Sequence, residues 1–175
     1  MYVNNPRALT LTLTRIWLFL FSAALIASGM TAIFAREGLR FLSPLFAQGS
    51  ALDAAWPSMS DWLSLVHQAV EETYSRYPFI AYGFDWLAFG HFIISIPFIM
   101  AIRDPVRHSW VITFGMAACI AVLPFAILFG AIRGIPLFWR VLDSLFGIGG
   151  LIVLLVLRSQ LRGLARAGSA APGLD

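Results

Sequence analysis

The chain of 175 residues has a mean hydropathy of +0.81, and only 12% of its residues are charged. A soluble domain carries about a quarter charged residues, so this composition excludes an ordinary soluble domain and indicates an integral membrane protein. The net charge of +3 comes from arginines at the ends of apolar runs, a pattern typical of topology signals and not of a nucleic-acid-binding patch. The one cysteine, Cys119, excludes an internal disulfide.

The first apolar run covers residues 16–34 and follows Arg7 and Arg15. A basic start and an apolar stretch are also typical of a signal peptide, but this run is long for a signal core and favours a retained span. Its small residues recur at every fourth position, which predicts a close approach by another helix. The two rows are Ala24, Ser28 and Ala32, and Ala23, Ala27 and Thr31.

The segment 35–77 is long for a plain connection, and its second half, 58–77, has the pattern of an amphipathic helix. Apolar and aromatic residues share one face. The other face holds Asp61, Ser64, Gln68, Glu71, Glu72, Ser75 and Arg76. We expect this helix to lie on the outer membrane surface or to cap the bundle, with a role as a partner-binding lever as the alternative.

Three further spans are predicted at 79–102, 110–132 and 137–157, with a cytoplasmic tail at 158–175. Asp104-Pro105 has the pattern of a helix start, and Gly134-Ile135-Pro136 that of a helix stop and restart. Because the connections are short, we expect an antiparallel up-down bundle of four transmembrane helices in a single membrane domain.

The arginines set the orientation, since the chain has no lysine. With both termini in the cytoplasm, seven arginines lie inside and five outside, as the positive-inside rule favours. The inside group is Arg7, Arg15, Arg103, Arg107, Arg158, Arg162 and Arg166; the outside group is Arg36, Arg40, Arg76, Arg133 and Arg140.

Two spans carry ionisable residues, which are costly in lipid and therefore mark functional candidates. Asp85 and His91 share one stripe of the second span. Arg140 and Asp143 are three apart in the fourth span, close enough for an ion pair, and the stripe continues with Ser144, Gly147 and Gly150 as a face for another helix.

Antiparallel packing predicts one polar group in which Asp85, Arg133, Arg140 and Asp143 share the outer half of the bundle, with His91 below them near mid-depth. One interpretation is a closed network of ion pairs that fixes helix register. The alternative is an outward-facing ligand pocket, in which the arginines hold an anion and Asp85 or His91 takes up a proton.

No catalytic motif accompanies these residues. A bis-histidine haem needs a second histidine at the depth of His91, and the neighbouring arginines disfavour a metal on Asp85, His91 and Asp143. We therefore predict no cofactor and a non-enzymatic structural or accessory subunit. The alternatives are a small carrier or proton-coupled transporter that uses Asp85 and His91, or an intramembrane enzyme acting on lipid. The expected partners are the lipid bilayer and a second copy of the chain or another membrane protein, and no nucleic acid.

Three stretches carry a resemblance to a known family: residues 77–89 (YPFIAYGFDWLAF), 103–107 (RDPVR) and 132–136 (IRGIP). The chain resembles a family of small, uncharacterised four-span proteins of the bacterial inner membrane, over most of its length. The resemblance implies the same membrane location and span number for this chain. It implies no activity, ligand or catalytic residue.

Overall fold

The computed structural model describes residues 6–169, and these residues are helical apart from short connections. In chain order, the helices are α1 (Pro6–Ile33), α2 (Ala35–Leu42), a short 3-10 helix (Ser43–Phe46), α3 (Ala51–Ala55), α4 (Pro57–Arg76), α5 (Pro78–Arg103), α6 (Trp110–Ile132) and α7 (Leu137–Ser169). Helices α1, α5, α6 and α7 are long and apolar enough to cross a membrane. No strand occurs within residues 6–169. An all-α protein with four candidate spans is therefore confirmed.

Two spanning helices extend beyond their apolar runs. Helix α1 begins at Pro6, ahead of the run 16–34, and α7 continues to Ser169, well past residue 157. Leu161 and Leu164 are buried, so the first part of the predicted tail is packed helix; residues 170–175 lie outside the described residues. Hydropathy identifies the part of a helix that matches the hydrocarbon core of the membrane. The helix itself continues as far as its backbone hydrogen bonds and side-chain packing allow.

The expected helix start at Asp104 is wrong. The Asp104 carboxylate accepts a hydrogen bond from the backbone N–H of Arg107 at 3.1 Å, which is the bond an N-cap makes. The chain nevertheless continues as turns, and α6 begins only at Trp110. The side-chain bond therefore stabilises a turn and not a helix end.

The helix stop at Gly134 is confirmed. Its φ of +71° lies in the left-handed region, where a residue with a Cβ is strained. The N–H of Ile135 donates to the Gly130 carbonyl at 2.8 Å, and that of Gly134 donates to Ala131 at 3.1 Å. These two bonds form a Schellman motif and end α6.

The chain divides into two compact units. The first unit comprises the chain up to Ala24 and from Ser95 onward, and the second comprises Leu25–Ile94. In the first unit the largest fully buried side chains come from all four spanning helices, and they are Thr14, Leu18, Phe98, Val111, Ile112, Leu154 and Leu157.

Helices α6 and α7 form an antiparallel hairpin within the first unit. Their close approaches join Gly130 with Arg140, Cys119 with Gly147, and Gly115 with Leu154. The order along α7 is the reverse of the order along α6, as the short connection requires. Ser144 and Gly147 are buried, so the predicted small-residue face of α7 does pack against another helix.

In the second unit, α2 and α3 each pack on α4, and we call residues 35–77 the helical cap. Met59, Leu63 and Val70 of α4 are buried, and the exposed side of α4 is mostly polar. Also in this unit, Gly29 of α1 lies so close to α5 that a Cβ there would sit 2.8 Å from Phe92 and 3.1 Å from the carbonyl oxygen of Ala88.

Candidate functional site

Glu71 of α4 is held by two arginines of α2. Arg36 donates to both carboxylate oxygens, with Nη2 at 2.7 Å and Nε at 3.1 Å from Oε2. Arg40 lies one helical turn further along α2, and its Nη2 is 3.0 Å from Oε2 while its Nε binds Oε1. His67, one turn earlier on α4, has its Nε2 3.9 Å from Oε1. The two helices are therefore joined through one carboxylate.

The electrostatics of this cluster favour the ionised carboxylate. Hydrogen bonds from Arg36 and then Arg40 lower the pKa of Glu71 to about 2. The hydrogen bond between Arg36 and Glu71 also raises the pKa of Arg36 above its usual value. Glu71 is therefore a structural anion at neutral pH and not a proton donor.

Tyr74 connects this cluster to the start of α5. The Arg36 guanidinium lies 5.4 Å from the Tyr74 ring centroid, and the ring stacks on Phe84 at 6.4 Å. Burial raises the pKa of Tyr74, and the negative charges of Glu37 and Asp85 raise it further. Tyr74 therefore interacts with Arg36 of the cluster and with the charge of Asp85 on α5.

Asp85 is exposed on α5 and lines an open groove of about 240 Å³ together with Tyr82, Trp86 and Phe89. The Tyr82 and Trp86 ring centroids are 5.9 Å apart, and those of Trp86 and Phe89 are 5.5 Å apart, with the rings nearly perpendicular. Among residues 6–169 the Asp85 carboxylate makes no hydrogen bond or ion pair.

His91 is half-buried on α5, where its Cβ lies 3.0 Å from a Cβ placed on Gly29. Its Nδ1 is 2.8 Å from the carbonyl oxygen of Leu87. A carbonyl can only accept, so Nδ1 carries a proton and donates. Within the described part of the chain Nε2 has no hydrogen-bond partner.

Arg140 and Asp143 are half-buried on α7, and Arg133 is exposed where α6 ends. Nη1 of Arg140 donates to the carbonyl oxygen of Ile127 at 3.3 Å, and its Nε is buried with no partner among residues 6–169. The described side chains form no Arg140–Asp143 ion pair. Helical spacing permits such a pair, but packing against Gly130 directs the guanidinium toward α6.

The five residues predicted to share one network fall into different units. Asp85 and His91 belong to the second unit, and Arg133, Arg140 and Asp143 belong to the first. The five-residue network therefore stays a prediction. Within residues 6–169 no three His, Cys, Asp or Glu side chains are placed to share a metal ion.

The cluster of Arg36, Arg40 and Glu71 was missed by the sequence analysis, which placed Glu71 on the polar, outward face of the amphipathic helix. In the structure Glu71 is only partly exposed, because its carboxylate turns toward α2. The available signal was the pair of arginines four apart on a short helix beside α4, since that spacing puts both on one face.

The four long apolar helices make this chain a multi-pass membrane protein in contact with the lipid bilayer. Comparison with known proteins finds no matching family model, no similar curated protein and no similar solved structure.

Proposed function

We propose that this protein is a non-enzymatic structural or accessory subunit of the bacterial inner membrane. In this proposal both termini are cytoplasmic, and the helical cap lies on the outer side. The distribution of the arginines supports the orientation. The resemblance to small four-span bacterial proteins supports the bacterial inner membrane as the location, although it is only a resemblance.

The observation that carries the proposal is the binding of the Glu71 carboxylate by Arg36 and Arg40. Two arginines from α2 bind one carboxylate from α4, and this fixes the longest segment between two spans as a folded body. A connection between two helices needs only a few residues. A segment that is instead folded and held by ion pairs is suited to present a constant surface to a partner subunit.

The charge of the cap indicates the kind of partner. Its three arginines, Arg36, Arg40 and Arg76, stand against five carboxylates, so its formal net charge is −2. Asp61 and Glu72 are exposed on the outer side of α4, whereas Arg36 and Arg40 are occupied by Glu71. We expect the partner to be a membrane protein with a basic surface outside the lipid.

The test compares two neighbouring glutamates of α4. Glu71→Gln removes the charge that both arginines bind, whereas Glu72→Gln removes a charge that only Arg76 of the same helix contacts, at 3.4 Å. The tagged chains are extracted from their native membranes in nanodiscs, and co-purified protein is quantified by mass spectrometry. We expect one stoichiometric partner with the wild type, slightly less of it with Glu72→Gln, which removes one exposed charge, and severalfold less with Glu71→Gln, which removes the contact that holds α2 on α4. Recovery of the wild-type chain alone, or equal recovery with both variants, would contradict the proposal.

The second candidate is a proton-coupled carrier, and the exposed carboxylate of Asp85, which has no ion pair among residues 6–169, favours it. His91, with a free Nε2 in the described part of the chain, is its potential proton relay. Proteoliposomes containing a pH-sensitive dye separate the two candidates. A carrier predicts proton uptake that Asp85→Asn removes, and an accessory subunit predicts uptake no faster than that of empty vesicles.

A further inference from the structure

The groove on α5 combines one carboxylate with three aromatic rings. Tyr82, Asp85, Trp86 and Phe89 follow the spacing i, i+3, i+4 and i+7, so they share one face of the helix. Each ring is more than half exposed, with values of 59% for Tyr82, 56% for Trp86 and 51% for Phe89. The rings are therefore accessible to a ligand and are not buried in the hydrophobic core.

The groove lies in the first turns of α5, near the boundary between the lipid headgroups and the acyl chains. Asp85 is seven residues into α5, roughly 10 Å along the helix axis at about 1.5 Å per residue. Tyrosine and tryptophan prefer this level of the membrane. Ile93, one turn beyond Phe89 on the same face, is exposed and apolar, as suits contact with an acyl chain.

The carboxylate of Asp85 has no cationic partner among the described residues. Arg36 is the nearby candidate, because both Arg36 and Asp85 act on Tyr74. Arg36 is already bound to both oxygens of Glu71, and the described residues give Asp85 no ion pair. A carboxylate exposed at the edge of lipid is costly unless a positive group covers it.

The lining selects the class of cation. Calcium and magnesium take about six or more oxygen ligands, and this groove offers one carboxylate. Aromatic faces attract alkylammonium groups, which hold their water less tightly than divalent metal ions do, and an adjacent carboxylate adds the counter-charge. We propose that this groove binds the ammonium group of a zwitterionic phospholipid in the leaflet where α5 begins. The inference does not depend on the accessory role.

Lipid binding to the full chain is measured by native mass spectrometry, with phosphatidylethanolamine, phosphatidylcholine and phosphatidylglycerol as probes. The three lipids share the phosphate, but only the first two carry an ammonium group. We expect the first molecule of either amine lipid to bind about tenfold more tightly than phosphatidylglycerol. Asp85→Asn should abolish this preference, and Asp85→Glu, which keeps the charge, should retain it.

The aromatic contribution has a matched control on another helix. Trp110 of α6 is 59% exposed, almost the same as Trp86, and does not line the groove. Trp86→Leu should weaken amine-lipid binding severalfold, whereas Trp110→Leu should leave it unchanged. Each variant is first compared with the wild type by circular dichroism, so that a misfolded chain is recognised.

Three results would overturn the inference. The first is equal binding of amine lipids and phosphatidylglycerol by the wild type. The second is a preference that survives in Asp85→Asn, because the ammonium group would then lie elsewhere. The third is full competition by millimolar tetramethylammonium with no preference among lipids, which would assign the groove to a free amine.

Discussion

The packing of α6 on α7 provides a sharp test, because two glycines of α7 lie two residues apart in opposite surroundings. A methyl group on Gly147 would lie 2.8 Å from the carbonyl oxygen of Cys119 and 3.2 Å from Leu123. Among residues 6–169, a methyl group on Gly149 would have no neighbour within 4 Å apart from the adjoining backbone of α7 itself. Gly147→Ala and Gly149→Ala are therefore the same chemical change in a tight and an open environment.

The expected cost follows from these distances. A carbon atom approaches a carbonyl oxygen to about 3.3 Å at its closest comfortable distance, so α6 and α7 must separate by roughly 0.5 Å around Gly147. The backbone of Cys119 cannot rotate away as a side chain could. A gap of that size forfeits roughly a quarter of each dispersion contact it opens. Overpacking of this kind costs about 1–3 kcal/mol, whereas Gly149→Ala should be neutral or stabilise the helix by up to about 1 kcal/mol.

The chain carries its own probe for this change. Cys119 is the only thiol, and its Sγ lies 2.9 Å from a Cβ placed on Gly150, at the same interface. Stability is measured by titration with sodium dodecyl sulfate in mixed micelles, and opening of the hairpin by the rate at which Cys119 reacts with a maleimide. Gly147→Ala should speed labelling about fivefold or more. Equal stability and equal labelling of the two variants would refute this account of the interface.

Three further predictions concern charges and the α6–α7 turn. Because the folded pKa of Glu71 is lowered to about 2 from an ordinary value of 4.5, its contribution to cap stability should be complete above about pH 5 and be lost as the pH falls toward 2. Protease resistance of the cap should show this loss in the wild type and in Glu72→Gln, but not in Glu71→Gln. Gly134→Ala should cost about 1 kcal/mol and lower the melting temperature in detergent, because φ is +71°. Since the described side chains of Arg140 and Asp143 form no ion pair, the effects of Arg140→Gln and Asp143→Asn on stability should add; a coupling above about 0.5 kcal/mol would show that they interact.

Hydropathy was a good guide to the spans and a poor guide to the helix ends. The run 110–132 coincides with α6, where turns on both sides end the helix. At α7 the predicted span ended at the arginines from residue 158 onward, yet the helix continues to Ser169. Long cationic side chains reach water while their stems cover apolar surface, so charge ends a span without ending a helix. Which residues beyond the lipid remain helical depends on packing, as at the buried Leu161.

Helix faces were harder to predict than helices. The rows of small residues in α1 predicted a close approach, and Ala32 is buried as expected, but Ala24 and the whole second row are exposed. Gly29 lies on neither row, yet it is buried and a Cβ there would lie 2.8 Å from Phe92. The contact surface depends on the partner, here Ala88 and Phe92 of α5, and a single sequence does not contain that pairing. For the same reason the projection of α4 placed Glu71 outward, although the arginines that bind it come from another helix.

The charges of this protein differ in how completely the fold satisfies them. Glu71, outside the spans, receives hydrogen bonds from two arginines in a place where water would also have solvated it. Asp85 and the Nε of Arg140, in spanning helices, have no such bonds among residues 6–169. A charged group without a hydrogen-bond partner lowers stability most in a spanning helix. Selection for stability alone would therefore place such partners beside Asp85 and Arg140 before Glu71. Asp85, which is exposed beside open aromatic rings, is therefore the residue whose charge is best explained by a ligand from outside the chain.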